Sequence, residues 1–441
     1  MRVITAGTAD AGAKRARATR YGFLAGGALL VASLLTAASG KAAEPAEVLE
    51  TYADIAQAGY EDSLITAQTL RATVEALVES PSEATLMQAR AAWLAARIPY
   101  QQTEVYRFGN EIVDDWEGRV NAWPLDEGLI DYVEGAYGTE SDENRYYTVN
   151  VVANATLTVG GREIDATAIT PTLLSDVLHE ADEVEANVAT GYHAIEFLLW
   201  GQDLNGTGPG AGTRPATDFD MANCTNGNCD RRAEYLVAAT DLLLTDLQEM
   251  VDAWGPDGEA RAALTAQGAD AGLIRILTGL GSLSYGELAG ERMRLGLLLH
   301  DPEEEHDCFA DNTHNSHFYN VVGMINVFTG TYHRVDGTRV SGPSLEALLA
   351  EADSSVAEEL RAGLDRSHEA AFDLVQRAER VEHYDQMIAA GNAEGNATVE
   401  ALIETLVEQT RSIERAVAAL DLQPIAFMGS DSLDNPSAVF Q

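Results

Sequence analysis

Gly191-Tyr192-His193-Ala194-Ile195-Glu196-Phe197-Leu198-Leu199-Trp200-Gly201 is apolar enough to be a buried helix, yet it carries an imidazole and a carboxylate three residues apart. Positions i and i+3 share a helix face, so His193 and Glu196 can reach one point in space. Burying two ionisable side chains is costly unless something compensates them. A metal ion is one compensation, and a hydrogen-bonded pair that fixes helix packing is the other.

Outward from this stretch the pattern stays helical. Apolar residues recur at three- and four-residue steps from Val48 through Leu77, ending at Ser80-Pro81. Ser82 is placed to cap a second helix through Leu86, Trp93 and Ile98, where Pro99 predicts a kink one turn before Glu104. Glu104 thus reads either as a site residue or as a surface carboxylate paired with Arg107 or Arg97. Residues 110–135, with Trp116, Trp123 and Asp126, read as irregular. Strand-like alternation is confined to 147–165, a small β excursion. Thr170-Pro171 opens a helix predicted to run into the central motif. A Gly/Pro/Asn loop follows to residue 228, then helix to Trp254, and Gly255-Pro256-Asp257-Gly258 marks a boundary. Residues 272–299 form a helix in which Gly279, Gly281, Gly286, Gly290 and Gly296 predict close approach by another helix. Helical patterns recur over 318–329, 344–378 and 397–420. The fold class is therefore all-α, with two related four-helix-bundle-like halves over 44–254 and 259–425 and a tail over 426–441.

The chain has 441 residues and a net charge of -42. Such a surface repels nucleic acid and anionic membranes. The cations Arg2, Lys14, Arg15, Arg17 and Arg20 precede an apolar stretch from Phe23 and the small residues Ala37 to Gly40, so residues 1–40 read as a signal peptide. No later stretch is long and apolar enough to span a bilayer. Localisation is predicted to be the periplasm or cell surface. There disulfides are permitted, and Cys224 and Cys229 flank an Asn-Gly turn, so they form a small-loop disulfide or remain two thiols. Cys308 is left as a buried thiol or a soft ligand.

No His-Glu-x-x-His, nucleophile elbow or phosphate loop occurs. A second His-x-x-Glu, His300 and Glu303, straddles Pro302 and does not suit a helix. Glu303-Glu304-Glu305 reads as a solvated acidic face. The polar run 306–317 is either part of a metal site or a hydrogen-bonded loop capping the following helix. Tyr192, Trp200, Trp116 and Trp123 line a pocket or fill the core.

Gly191-x-His193-x-x-Glu196 resembles the Gly-x-His-x-x-Glu signature of the imelysin family. The resemblance extends to Arg97-Ile98-Pro99-Tyr100, Glu104 and Arg107-Phe108-Gly109, to Glu287-Leu288-Ala289-Gly290-Glu291-Arg292-Met293, and to the run from Asp301 to His314. These look like the iron-regulated protein A branch. The resemblance implies an exported all-helical protein with a site in a cleft between two halves, linked to iron uptake, some members having been classed as M75 metallopeptidases. Carried over, it places a metal at His193, Glu196 and Glu104, with Gly191, Arg97, Glu287, Glu291, Arg292, His306, Asp311 and His314 as cleft candidates; Asp126, from the acidic and aromatic stretch 110–135, is a further cleft candidate. The expected cofactor is a divalent or ferric ion, iron before zinc, since imidazole and carboxylate suit several metals. An uptake partner in the periplasm or outer membrane is expected. The alternatives are a metallopeptidase, which needs an open metal position and a general base, and a ligand- or partner-binding module.

Overall fold

Ser82 closes a capping box with Thr85, and Thr170 accepts the Leu173 amide, so two of the expected helix starts are set by side-chain oxygens. In the computed structural model, residues 43–139, 141 and 144–440 are described; the expected signal peptide over 1–40 lies outside them. The principal helices are α1 (Pro45–Glu79), α2 (Glu83–Gln101), α3 (Glu111–Asn121), α4 (Gly191–Trp200), α5 (Cys229–Ala253), α6 (Ala269–Ser282), α7 (Thr313–Thr329), α8 (Ser354–Arg380) and α9 (Ala393–Ala419). A π-helical stretch, Leu283–Arg294, continues α6. Helices α1 to α5 pack on one another, and α6, the π stretch, α7, α8 and α9 do likewise, with α2 meeting α7 and α1 meeting α6.

An aromatic core sits under the first group. Tyr52 meets Tyr106 at 4.8 Å, Tyr60 meets Trp116 at 5.6 Å, and Tyr100 meets Tyr192 at 4.8 Å. Edge and tilted ring contacts of this kind add to the area buried. Tyr192, Trp116 and Trp200 are core residues. No helix among the described residues is long and apolar enough to cross a membrane.

Four expectations are corrected. Residues 110–135 contain a regular helix, α3, which buries Val113, Trp116 and Val120. That one apolar stripe is interrupted by acids, so its period is hard to see. The helix begun at Pro171 does not reach the central motif: it passes through a π turn and breaks where Glu180, Asp182 and Glu183 take positive φ. Alternation is not confined to the first hairpin, β1 (Thr156–Val159) with β2 (Arg162–Asp165), and within 147–165 it gives strand only there. A second antiparallel pair joins β3 (Thr331–His333) to β4 (Arg339–Ser341). The glycines of 272–299 are only partly explained by helix contact. Gly272 does face Leu49 of α1. At Gly281, Gly286 and Gly290, however, an added Cβ would strike Phe427, Met428 and Ser430 of the tail at 2.3–2.5 Å. The C-terminal segment, not a helix, lies in that groove.

Candidate metal centre

Helix α4 starts at a point of close backbone approach. Gly191 has φ +77°, and a Cβ there would lie 2.4 Å from the Val120 carbonyl oxygen at the end of α3. Only glycine fits both the angle and the gap. Gly191 therefore positions the helix, and with it His193, by letting two backbones touch. Gly191→Ala is expected to cost about 1–3 kcal/mol through backbone strain alone, and more from the collision; an unchanged urea midpoint would contradict this.

Two residues on, His193 Nδ1 lies 3.0 Å from Glu196 Oε2, and Glu196 Oε1 accepts the Ala310 amide at 2.9 Å. Glu196 thus ties α4 to the loop before α7. His193 Nε2 has no hydrogen-bond partner, and neither nitrogen of His306 has one. The two rings stand edge to face, centroids 4.7 Å apart. One ligand atom each from His193, His306 and Asp307 lie within 4.8 Å of one another, the only such group of three among the described residues. These three side chains are 1%, 2% and 0% exposed. Buried polar atoms normally find partners, so three bare imidazole nitrogens beside a carboxylate are a donor set without an acceptor.

Asp307 is held on its other side. Arg97 donates to it at 2.6 Å from α2, Asn312 donates at 2.7 Å, and Ser316 donates from α7. Burial pushes its carboxyl up, but Arg97 and the surrounding donors overcome this and hold it at about 2. Burial, then Arg97, pushes His193 down to about 3, so the ring is neutral and available as a ligand. Burial, then the Asp307 charge, pushes Glu196 well above the usual carboxylate range.

Arg97 also donates to Asn121 at 2.7 Å, and Asn121 reaches Glu117 at 2.9 Å and Glu104 at 3.4 Å. Glu104 does not join the group of three; its Oε2 takes the Arg292 guanidinium at 2.6 Å. Arg292 also holds Glu287 and touches Asn320. Glu291 is half-buried beside Glu304. Asp311 is buried and pushed up to about 7 by burial and by Asp203. His314 is buried with its ring 5.9 Å from His383. Asp126 bonds to Asn144 and lines a cavity of about 420 Å³ with Trp123, Glu127, Tyr137, Cys308 and Phe309. Trp123, in the wall of that cavity, places its ring 5.7 Å from the His306 ring.

Cys224 and Cys229 are joined as a disulfide, and Cys308 is a half-buried free thiol. The reading of Glu303-Glu304-Glu305 as a solvated face fails at Glu305, which is 1% exposed. Within the run 306–317 sequence reasoning did not single out Asp307 or His317, and it missed Asp385. A carboxylate directly after His306 was the available signal for Asp307, but its burial depends on Arg97, 210 residues away.

The imelysin family model matches residues 56–413. A search of curated proteins finds no match. Among solved structures, the chain is similar to a crystal structure from Parabacteroides distasonis, a protein provisionally designated an iron-regulated protein A precursor. Identity is 16%, the TM-score is 0.60, and the match covers 87% of this chain and 97% of that one. At that identity the likeness establishes the fold.

Proposed function

The chain belongs to the imelysin family, and from that premise we propose that it is an exported protein that binds a metal ion, iron in preference to zinc, at His193, His306 and Asp307, and serves iron uptake or handling. The observation that carries this reading is the convergence of unpartnered imidazole nitrogens on the Asp307 carboxylate. Two histidines and one carboxylate are the donor set that suits ferrous iron. The bound ion would engage the imidazole nitrogens that have no hydrogen-bond partner, while Arg97 already balances the Asp307 charge. Glu196 acts behind His193: a ligating histidine commonly bonds its second ring nitrogen to a carboxylate, which fixes the ring. Glu104 is assigned the same kind of role, one step further out, through Asn121 and Arg292. Export rests on the pattern of residues 1–40, and delivery to an uptake partner is part of the proposal.

Binding is favoured over peptidase chemistry because the three ligands are at most 2% exposed, which leaves a polypeptide no approach to them. Equilibrium dialysis of the mature chain against Fe(II) and Zn(II) tests the reading. One ion per chain is expected, with loss in His193→Ala and a change below about tenfold in Glu104→Gln. Equal iron binding by wild type and His193→Ala would end the proposal.

A pH dependence follows. Burial and the Asp307 charge push the Glu196 carboxyl well above its ordinary range, whereas His193 titrates at about 3 and is already neutral. A cation competes with the Glu196 proton and not with one on His193. Affinity should therefore rise with pH above the ordinary carboxylate range, by up to about tenfold per unit for one displaced proton. A flat profile measured by competition with a chelator would contradict the assignment of Glu196.

A further inference from the structure

The geometry points to a second cation site, built only of oxygen donors, on the far side of the 302–308 turn. His306 faces His193, but Glu305 lines a small recess of about 10 Å³ with Glu127, Asp203, Glu303 and Asp385, which shares Glu127, Glu303, Cys308 and Phe309 with the larger cavity beside it. That volume is about one water-sized sphere, so it suits a single ion and excludes an organic ligand. Glu305 is 1% exposed and Asp385 2%, and none of their four carboxylate oxygens has a hydrogen-bond partner. No arginine, lysine or histidine lines the cavity. The Thr313 hydroxyl and the Gln386 amide lie beside Glu305 and Asp385, and burial pushes both carboxyls up; buried carboxylates so short of donors are compensated by protonation or by a cation, and a cation also accounts for five acids sharing one small space.

The donor chemistry separates this site from the first. Carboxylates alone favour hard cations, and calcium accepts irregular, flexible oxygen sets better than magnesium does. Only the His193 group brings three His, Cys or acidic ligand atoms within 4.8 Å of one another among the described residues. No three of the five carboxylates bring oxygens within 4.8 Å of one another, and a calcium ion draws them together. They come from four separate segments: the start of the Glu127–Ile130 helix, the loop after α4, the turn at Pro302–Glu304, and the Tyr384–Ile388 helix. An ion here therefore staples the loop that carries His306 and Asp307.

The test is calorimetric titration of the chelator-stripped mature chain with calcium chloride in 0.15 M salt, where weak surface binding is screened to within about 8 Å. Wild type and His193→Ala are expected to bind one calcium each and to gain thermal stability from it. Glu305→Gln with Asp385→Asn is expected to lose at least about 100-fold in calcium affinity. Without calcium, this double variant should melt no lower than wild type, because two repelling acids have become amides; that shows it folds. No saturable calcium binding by wild type, or equal binding by the double variant, overturns the proposal. Its failure would leave the iron site untouched, since His193→Ala reports on that site separately.

Discussion

His306→Ala is expected to lower Fe(II) affinity by at least about 100-fold while the chain keeps its helical circular dichroism. The magnitude follows from the role assigned to the ring. Removing a residue that merely orients a ligand costs 10–100-fold in metal affinity, and His306 is placed as a ligand itself. Stability should change by less than about 2 kcal/mol, because neither His306 nitrogen makes a hydrogen bond that the fold would lose. The cavity left by the ring is partly offset by relief of an unsatisfied buried polar group. The sequence placed His306 only among the second-half candidates and gave the third ligand position to Glu104. Comparing His306→Ala with Glu104→Gln therefore separates the two assignments: the first should lose iron and the second should largely keep it. Dialysis with a competing chelator measures both.

Arg97→Leu has the largest expected effect on stability, a loss of about 3–5 kcal/mol in the metal-free chain. Arg97 is buried, bonds Asp307 at 2.6 Å and Asn121 at 2.7 Å, and stacks over the Tyr192 ring at 5.0 Å. Leucine keeps much of the packing but leaves Asp307 as a buried anion with only neutral donors. Part of that loss should return when metal is added, because the cation takes over the compensating charge. The metal-induced rise in the unfolding midpoint should thus be larger in Arg97→Leu than in wild type. A variant that is destabilised but gains nothing extra from metal would show that Arg97 supports packing without facing the ion.

What could be read beforehand divides along sequence distance. The His193-Glu196 pair was legible because both residues lie on one short apolar helix, where spacing alone sets the geometry. The long helices were legible from their period, and the caps at Ser82 and Thr170 from local chemistry. The role of Asp307 was not legible, since it depends on Arg97 arriving from α2. Glu305 looked like part of a charged surface run because three consecutive glutamates say nothing about which one the turn directs inward. Helix α3 was hidden by acids at its exposed positions. The glycines of the π stretch signalled close approach, but nothing local identified the tail around Phe427 and Met428 as the element that approaches. The β3–β4 hairpin was too short, at three residues per strand, to produce a period.

The central claim is that an ion sits where two imidazoles meet one carboxylate. An iron-edge anomalous difference map from crystals grown with Fe(II) tests it most directly. The account predicts the strongest peak within bonding distance of a nitrogen of His193, a nitrogen of His306 and an oxygen of Asp307. A strongest peak on Glu104, or no peak within reach of His193 in crystals shown to contain iron, would contradict it.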